Sequence, residues 1–174
     1  MTKSILQFIL LFIVMVLAQV LVFNRLYLFD IALPLAFIYF IMRLPVTMSL
    51  VGVLTLSFLL GLTVDVFSDT LGMNALACTL LAPLRLPVLR LYFPREEDLT
   101  NPEPSMRSLG VGVYMKFAIS ISLLYCILFF TIESFTFFNM GRLILRIIGS
   151  SILTFIIIMC IDSLINYQRS EKRL

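Results

Sequence analysis

The stretch "LGLTVDVFSDTLGMNALACTLLA", residues 60–82, sets two aspartates, two glycines and an asparagine between two apolar runs. The run before it starts near residue 46 and the run after it continues to about residue 84. Such a pattern reads as two membrane helices joined by a tight polar turn. An ionised side chain within hydrocarbon costs at least about 2.5–3.5 kcal/mol. Asp65 and Asp69 must therefore sit at helix ends or meet partners there.

The rest of the chain supports that setting. Of its 174 residues 61% are hydrophobic, against about 45–50% in soluble domains, and the mean hydropathy is +1.08. We expect an all-α integral membrane protein, a single compact bundle of about six spans at 5–23, 27–42, 46–64, 70–84, 109–131 and 142–165. The run from Ile5 to Phe23 is longer than the roughly 7–15 apolar residues of a secretory signal, and it reads as a retained first span. "LRLPVLRLYF" follows the fourth span, and its Arg85, Pro87 and Arg90 place residues 85–93 at the membrane surface as a basic amphipathic extension. The loop from Phe93 to Gly110, with Glu96, Glu97 and Asp98, reads as a solvated connector.

Orientation follows from the basic residues beside the spans. With the N-terminus inside, one side collects Lys3, Arg43, Arg85, Arg90, Arg95, Arg107, Arg169, Lys172 and Arg173, and the other only Arg25 and Arg142. The positive-inside rule then places both termini in the cytoplasm. Tyr27, Tyr92 and Tyr167 suit interfacial anchors. Cys78, Cys126 and Cys160 fall inside spans and read as packing residues.

Catalysis has no visible apparatus. The chain has no histidine, and it contains no GxGD-like element, no HExxH and no phosphate-binding glycine loop. We expect no enzyme activity, no cofactor and no metal. Each charge within a span is instead weighed as a structural group or as part of an ion path. Ser68, Asp69 or Thr70 is expected to cap the fourth helix, with Gly61 and Gly72 allowing close approach and Asn74 bonding across helices. Asp65 precedes the turn and does not suit the same amides, so an ion pair with Arg142 or Arg146 is expected. Those two arginines lie one helical turn apart, above Gly149 and Leu153. Lys116 either pairs with Asp162 or extends to the headgroups. Glu133 is expected to meet water.

The opening stretch also resembles the signature of the rod shape-determining MreD family. In that signature a Gly-Leu-x-x-Asp element leads through a serine to a Leu-Gly-x-x-Ala-Leu run. The matching positions are Gly61, Leu62, Asp65, Ser68, Leu71, Gly72, Ala75 and Leu76. The resemblance implies a non-enzymatic scaffold of the bacterial inner membrane. It would work with a single-span MreC-type protein, MreB-type filaments, and the peptidoglycan synthase RodA with its transpeptidase. It also implies a fold like the substrate-binding subunits of energy-coupling vitamin transporters, and such a subunit is the alternative function.

Overall fold

A computed structural model describes residues 2–23, 32–70, 72–93, 103–134 and 140–171, the side chains of 2–5 and 166–171 excepted. Arg25, Tyr27, Leu71, Arg95, Glu96, Glu97, Asp98, Lys172 and Arg173 lie outside these residues, as do the side chains of Lys3, Tyr167 and Arg169.

The described helices are α1 (Thr2–Leu21), α2 (Ile38–Arg43), α3 (Leu50–Ser68), α4 (Met73–Tyr92), α5 (Met106–Leu109), α6 (Val111–Glu133) and α7 (Met140–Glu171). Four of them, α3, α4, α6 and the Met140–Ile165 part of α7, are long and apolar enough to cross a membrane. The chain is thus an all-helical, multi-pass membrane protein. α4 packs most extensively against α3 and α6, and α6 also against α7, while α1 lies against α2 and α3. The long helices turn apolar side chains such as Leu59, Leu80, Ile119 and Ile152 outward. Such exposure is ordinary where lipid is the solvent. For orientation within the molecule, the end bearing the α3–α4 turn is called the turn end and the opposite one the far end.

The second expected span is not one helix. Residues 33–35 are non-helical, and α2 has only six residues. Pro34 lacks an amide hydrogen and steers Leu33 away from helical geometry. The backbone groups this frees inside the molecule are met by side chains of neighbouring helices. Leu33 N–H donates to Ser150 Oγ at 2.9 Å and Leu35 N–H to Thr154 Oγ1 at 3.0 Å, both acceptors on α7. Gln19 of α1 does the work of a strand neighbour: its Nε2 donates to Pro34 O at 2.9 Å, and its Oε1 accepts from Ala36 N–H at 3.0 Å. Non-helical backbone at membrane depth is tolerated only when buried in protein and satisfied in this way.

This broken element is the centre of the core. Phe37, Ile38, Tyr39, Phe40, Ile41 and Met42 are all at most 1% exposed. Phe12 of α1 meets Phe40 edge to face, and Phe37 meets Tyr125 of α6 in the same way.

The fourth span also differs from expectation. α4 continues unbroken through Pro83 and Pro87 to Tyr92, although each interior proline costs a helix about 3 kcal/mol. Its packing between α3 and α6 outweighs that cost. Arg85 does not lie at the surface. It is 1% exposed, and its guanidinium donates to Ile41 O at 3.0 Å and Pro45 O at 3.1 Å, carbonyls at the end of α2. Each carbonyl also accepts a backbone N–H, from Leu44 and Met48 respectively, and a cation suits the negative end of a helix. Tyr92 shares a hydrogen bond of 2.8 Å with Ser120 on α6. Cys78 and Cys126 are buried free thiols, and Cys160 is an exposed one.

Candidate functional site: the α3–α4 turn

The turn is built from two left-handed residues. Asp69, at φ 53° and ψ 33°, ends α3 with its N–H on Asp65 O, and Gly72, at φ 76°, begins α4. These conformations fold the first turn of α4 back along the last turns of α3. Gly61 lets the two backbones meet. A Cβ there would lie 2.5 Å from Asn74 O, 2.6 Å from Ala75 Cα and 2.7 Å from Ala75 N. Gly72 serves differently, because a Cβ there would meet nothing within 4 Å. Its requirement is the positive φ, not space.

The close approach brings Asp65, 3% exposed, under the start of α4. Its Oδ1 accepts from Asn74 N–H at 3.1 Å, from Asn74 Nδ2 at 2.9 Å and from the Thr70 hydroxyl. Its Oδ2 accepts from Ala75 N–H at 2.8 Å. Asn74 and Ala75 stand second and third in α4, where amides have no partner within the helix. A carboxylate of α3 thus caps α4 and opposes the positive end of its dipole.

This corrects two expectations. Ser68, Asp69 and Thr70 do not cap α4 themselves; Thr70 joins by donating to Asp65, and Asp69 is exposed. Asp65 does not pair with Arg142 or Arg146, because four donors already occupy it. Arg146 lies 3.4 Å from Glu133 and over the Phe130 ring, 5.0 Å from its centroid. Glu133 therefore has an ionic partner where water was expected. Arg142 is exposed near the start of α7.

Asn74 extends the network to a third helix. Its Oδ1 accepts from Tyr125 OH of α6 at 2.9 Å. Gly61, Asp65, Thr70, Asn74 and Tyr125 thereby join α3, α4 and α6 at one point. Beside it lies a cavity of about 190 Å³, whose walls include Gln19, Phe37, Val64, Asn74, Phe129 and Glu133.

A second polar cluster occupies the far end. Asp162, fully buried, accepts from Tyr39 OH at 2.8 Å, from Arg43 Nη1 at 3.1 Å and from Met106 N–H at 3.0 Å. Arg43 also reaches Glu103 at 3.2 Å. Lys116 is exposed and is not the partner of Asp162, which leaves it the course of extending along the helix surface. Sequence reasoning missed Gln19, Tyr39, Arg43, Glu103, Tyr125, Ser150 and Thr154. Gln19, Ser150 and Thr154 had a signal, being hydrogen-bonding residues inside apolar runs, where such residues favour helix contacts.

Among the described residues no group of three or more His, Cys, Asp or Glu side chains is placed to hold a metal. Comparison with protein-family models, with curated proteins and with solved structures finds no match to this chain.

Proposed function

We propose that the protein is a non-enzymatic scaffold of the bacterial cell-elongation machinery. It would sit in the inner membrane with both termini in the cytoplasm and hold a single-span MreC-type protein near RodA, its transpeptidase and MreB-type filaments. One observation carries this reading. The buried polar residues of the resembling stretch, Asp65 and Asn74, hold helices together, with Asp65 saturated by four donors and Asn74 engaged by Asp65 and Tyr125. A signature whose side chains brace helices against one another is what a scaffold needs. The basic residues agree with the orientation: Arg43, Arg85, Arg90, Arg107 and Lys116 gather toward the far end, against Arg142 and Arg146 at the turn end.

The alternative, a vitamin-type transporter subunit, calls for a pocket of about 300–1,000 Å³. The turn-end cavity, at about 190 Å³, is smaller. A pull-down of the tagged protein from its native membrane in mild detergent tests the choice. Recovery of a single-span partner together with peptidoglycan synthases is the expected result. Recovery of a transport ATPase and its membrane coupling subunit, with a small molecule retained, would replace the scaffold by the transporter.

A further inference from the structure

We infer that the surface where α4 and α6 meet at the far end binds the headgroup phosphate of an anionic phospholipid of the phosphatidylglycerol type, with Lys116 as its counter-charge and the paired hydroxyls of Tyr92 and Ser120 as a further donor. The inference goes beyond the scaffold reading and does not depend on it.

Lys116 carries a charge that the protein leaves unanswered. It is exposed on a membrane-spanning helix and has no hydrogen-bonding or ionic partner among the described residues. The described acids of the far end, Asp162 and Glu103, are both engaged by Arg43. α6 has 23 residues, about 34 Å of helix against about 30 Å of hydrocarbon, so its first turn approaches the headgroup layer. Lys116 lies about 7.5 Å along the helix from Val111, and helical side chains lean toward the N-terminus. Its ammonium therefore extends to the level of the lipid phosphates.

Beside that charge lies an unused donor. Ser120, one turn further along the same face of α6, shares a hydrogen bond of 2.8 Å with Tyr92 at the end of α4. Two hydroxyls carry two protons; the bond between them uses one, and the other has no acceptor among the described residues. Neither residue is buried. An ammonium and a hydroxyl donor side by side answer the oxygens of a phosphate. The surroundings suit a lipid, because Leu84 and Leu91 of α4 and Ile119 and Leu123 of α6 are exposed along the same two helices and offer acyl chains apolar surface. An anionic headgroup fits better than a zwitterionic one. The ammonium of ethanolamine sets a second cation beside Lys116, and Arg90 and Arg107 add positive charge at the same end.

Native mass spectrometry of the full chain in mild detergent, titrated in turn with phosphatidylglycerol and phosphatidylethanolamine, tests this. Wild type should bind its first phosphatidylglycerol at least about fivefold more tightly than phosphatidylethanolamine. Lys116→Gln should erase that preference and Lys116→Arg keep it, while Arg142→Gln, which takes an exposed charge from the turn end, should leave it unchanged. Equal affinity for the two lipids, a preference that survives K116Q, or an equal loss in R142Q overturns the site. Tyr92→Phe combined with Ser120→Ala keeps the charge and removes both hydroxyls. It should weaken phosphatidylglycerol at least about twofold; unchanged binding reduces Lys116 to an isolated cation reaching for water and overturns the site. Should that double variant fail to fold, the Lys116 variants decide, because their side chain lies outside the core. Glycerol 3-phosphate, which has the phosphate without acyl chains, should not displace the bound lipid at equal concentration. Displacement would make this a site for a soluble phosphate ester and overturn the lipid as its occupant.

Discussion

At the scale of the residue, Asp65 shows how a carboxylate is kept within an apolar helix pair. Its four donors come from the turn and from the first turn of α4, so the charge is neutralised by hydrogen bonds and a helix dipole instead of a cation. Removing the side chain leaves the buried amides of Asn74 and Ala75 unmatched, at roughly 1–3 kcal/mol for each unsatisfied group. We therefore predict that Asp65→Ala lowers stability in mild detergent by about 2–6 kcal/mol. A double-mutant cycle identifies the partner. Asp65→Ala and Asn74→Ala should couple by more than about 0.5 kcal/mol, while Asp65→Ala and Arg146→Met should add. Coupling to Arg146, read from thermal or denaturant unfolding, would restore the ion pair that the geometry replaces.

At the scale of the element, the helices that could be read from composition were those whose apolar runs are long. The runs at 46–64, 109–131 and 142–165 correspond to α3, α6 and α7, with ends shifted by a few residues. The described part of the second expected span, residues 32–42, misled because hydropathy records burial and not backbone geometry. An extended segment wrapped in protein is as apolar as a helix, and only Pro34 marked the break. The glycine contact at Gly61 and the reach of Asn74 were legible from residue type. The partner of Asp65 was not, because it depends on two left-handed residues that reverse the chain at one angle. Since residues 33–36 are held by side chains, their order should depend on those side chains. Replacing Ser150 by Ala and Thr154 by Val removes the acceptors of Leu33 and Leu35 at little change in volume. Hydrogen exchange should then lose protection at these two amides, with α3 and α4 unaffected; protection unchanged at both would mean that packing alone holds the segment.

At the scale of the whole molecule, two polar clusters pin opposite ends of one apolar assembly. The turn-end cluster joins α3, α4 and α6, and the far-end cluster joins α2, α7 and the segment leading into α5. α2 links the two regions: Phe37, just before it, lines the turn-end cavity, while Arg43, its last residue, holds Asp162. Arg43 and Asp162 are 3% and 0% exposed, so neither charge is hydrated enough to stand alone. Breaking a buried pair by removing one partner costs about 3–5 kcal/mol, whereas replacing both by well-packed apolar groups is often neutral. We accordingly predict that Arg43→Met destabilises the protein by about 3–5 kcal/mol in detergent unfolding and that Asp162→Leu does the same. The two together should recover most of that loss in global stability. Recovery should be incomplete around Met106, whose amide donates to Asp162 Oδ2. Hydrogen exchange at residues 105–109 in the double variant should stay faster than in wild type. If stability fails to return while these amides remain protected, the bundle depends on the ion pair itself, and the segment is held by its own Ser105 capping box and not by α7.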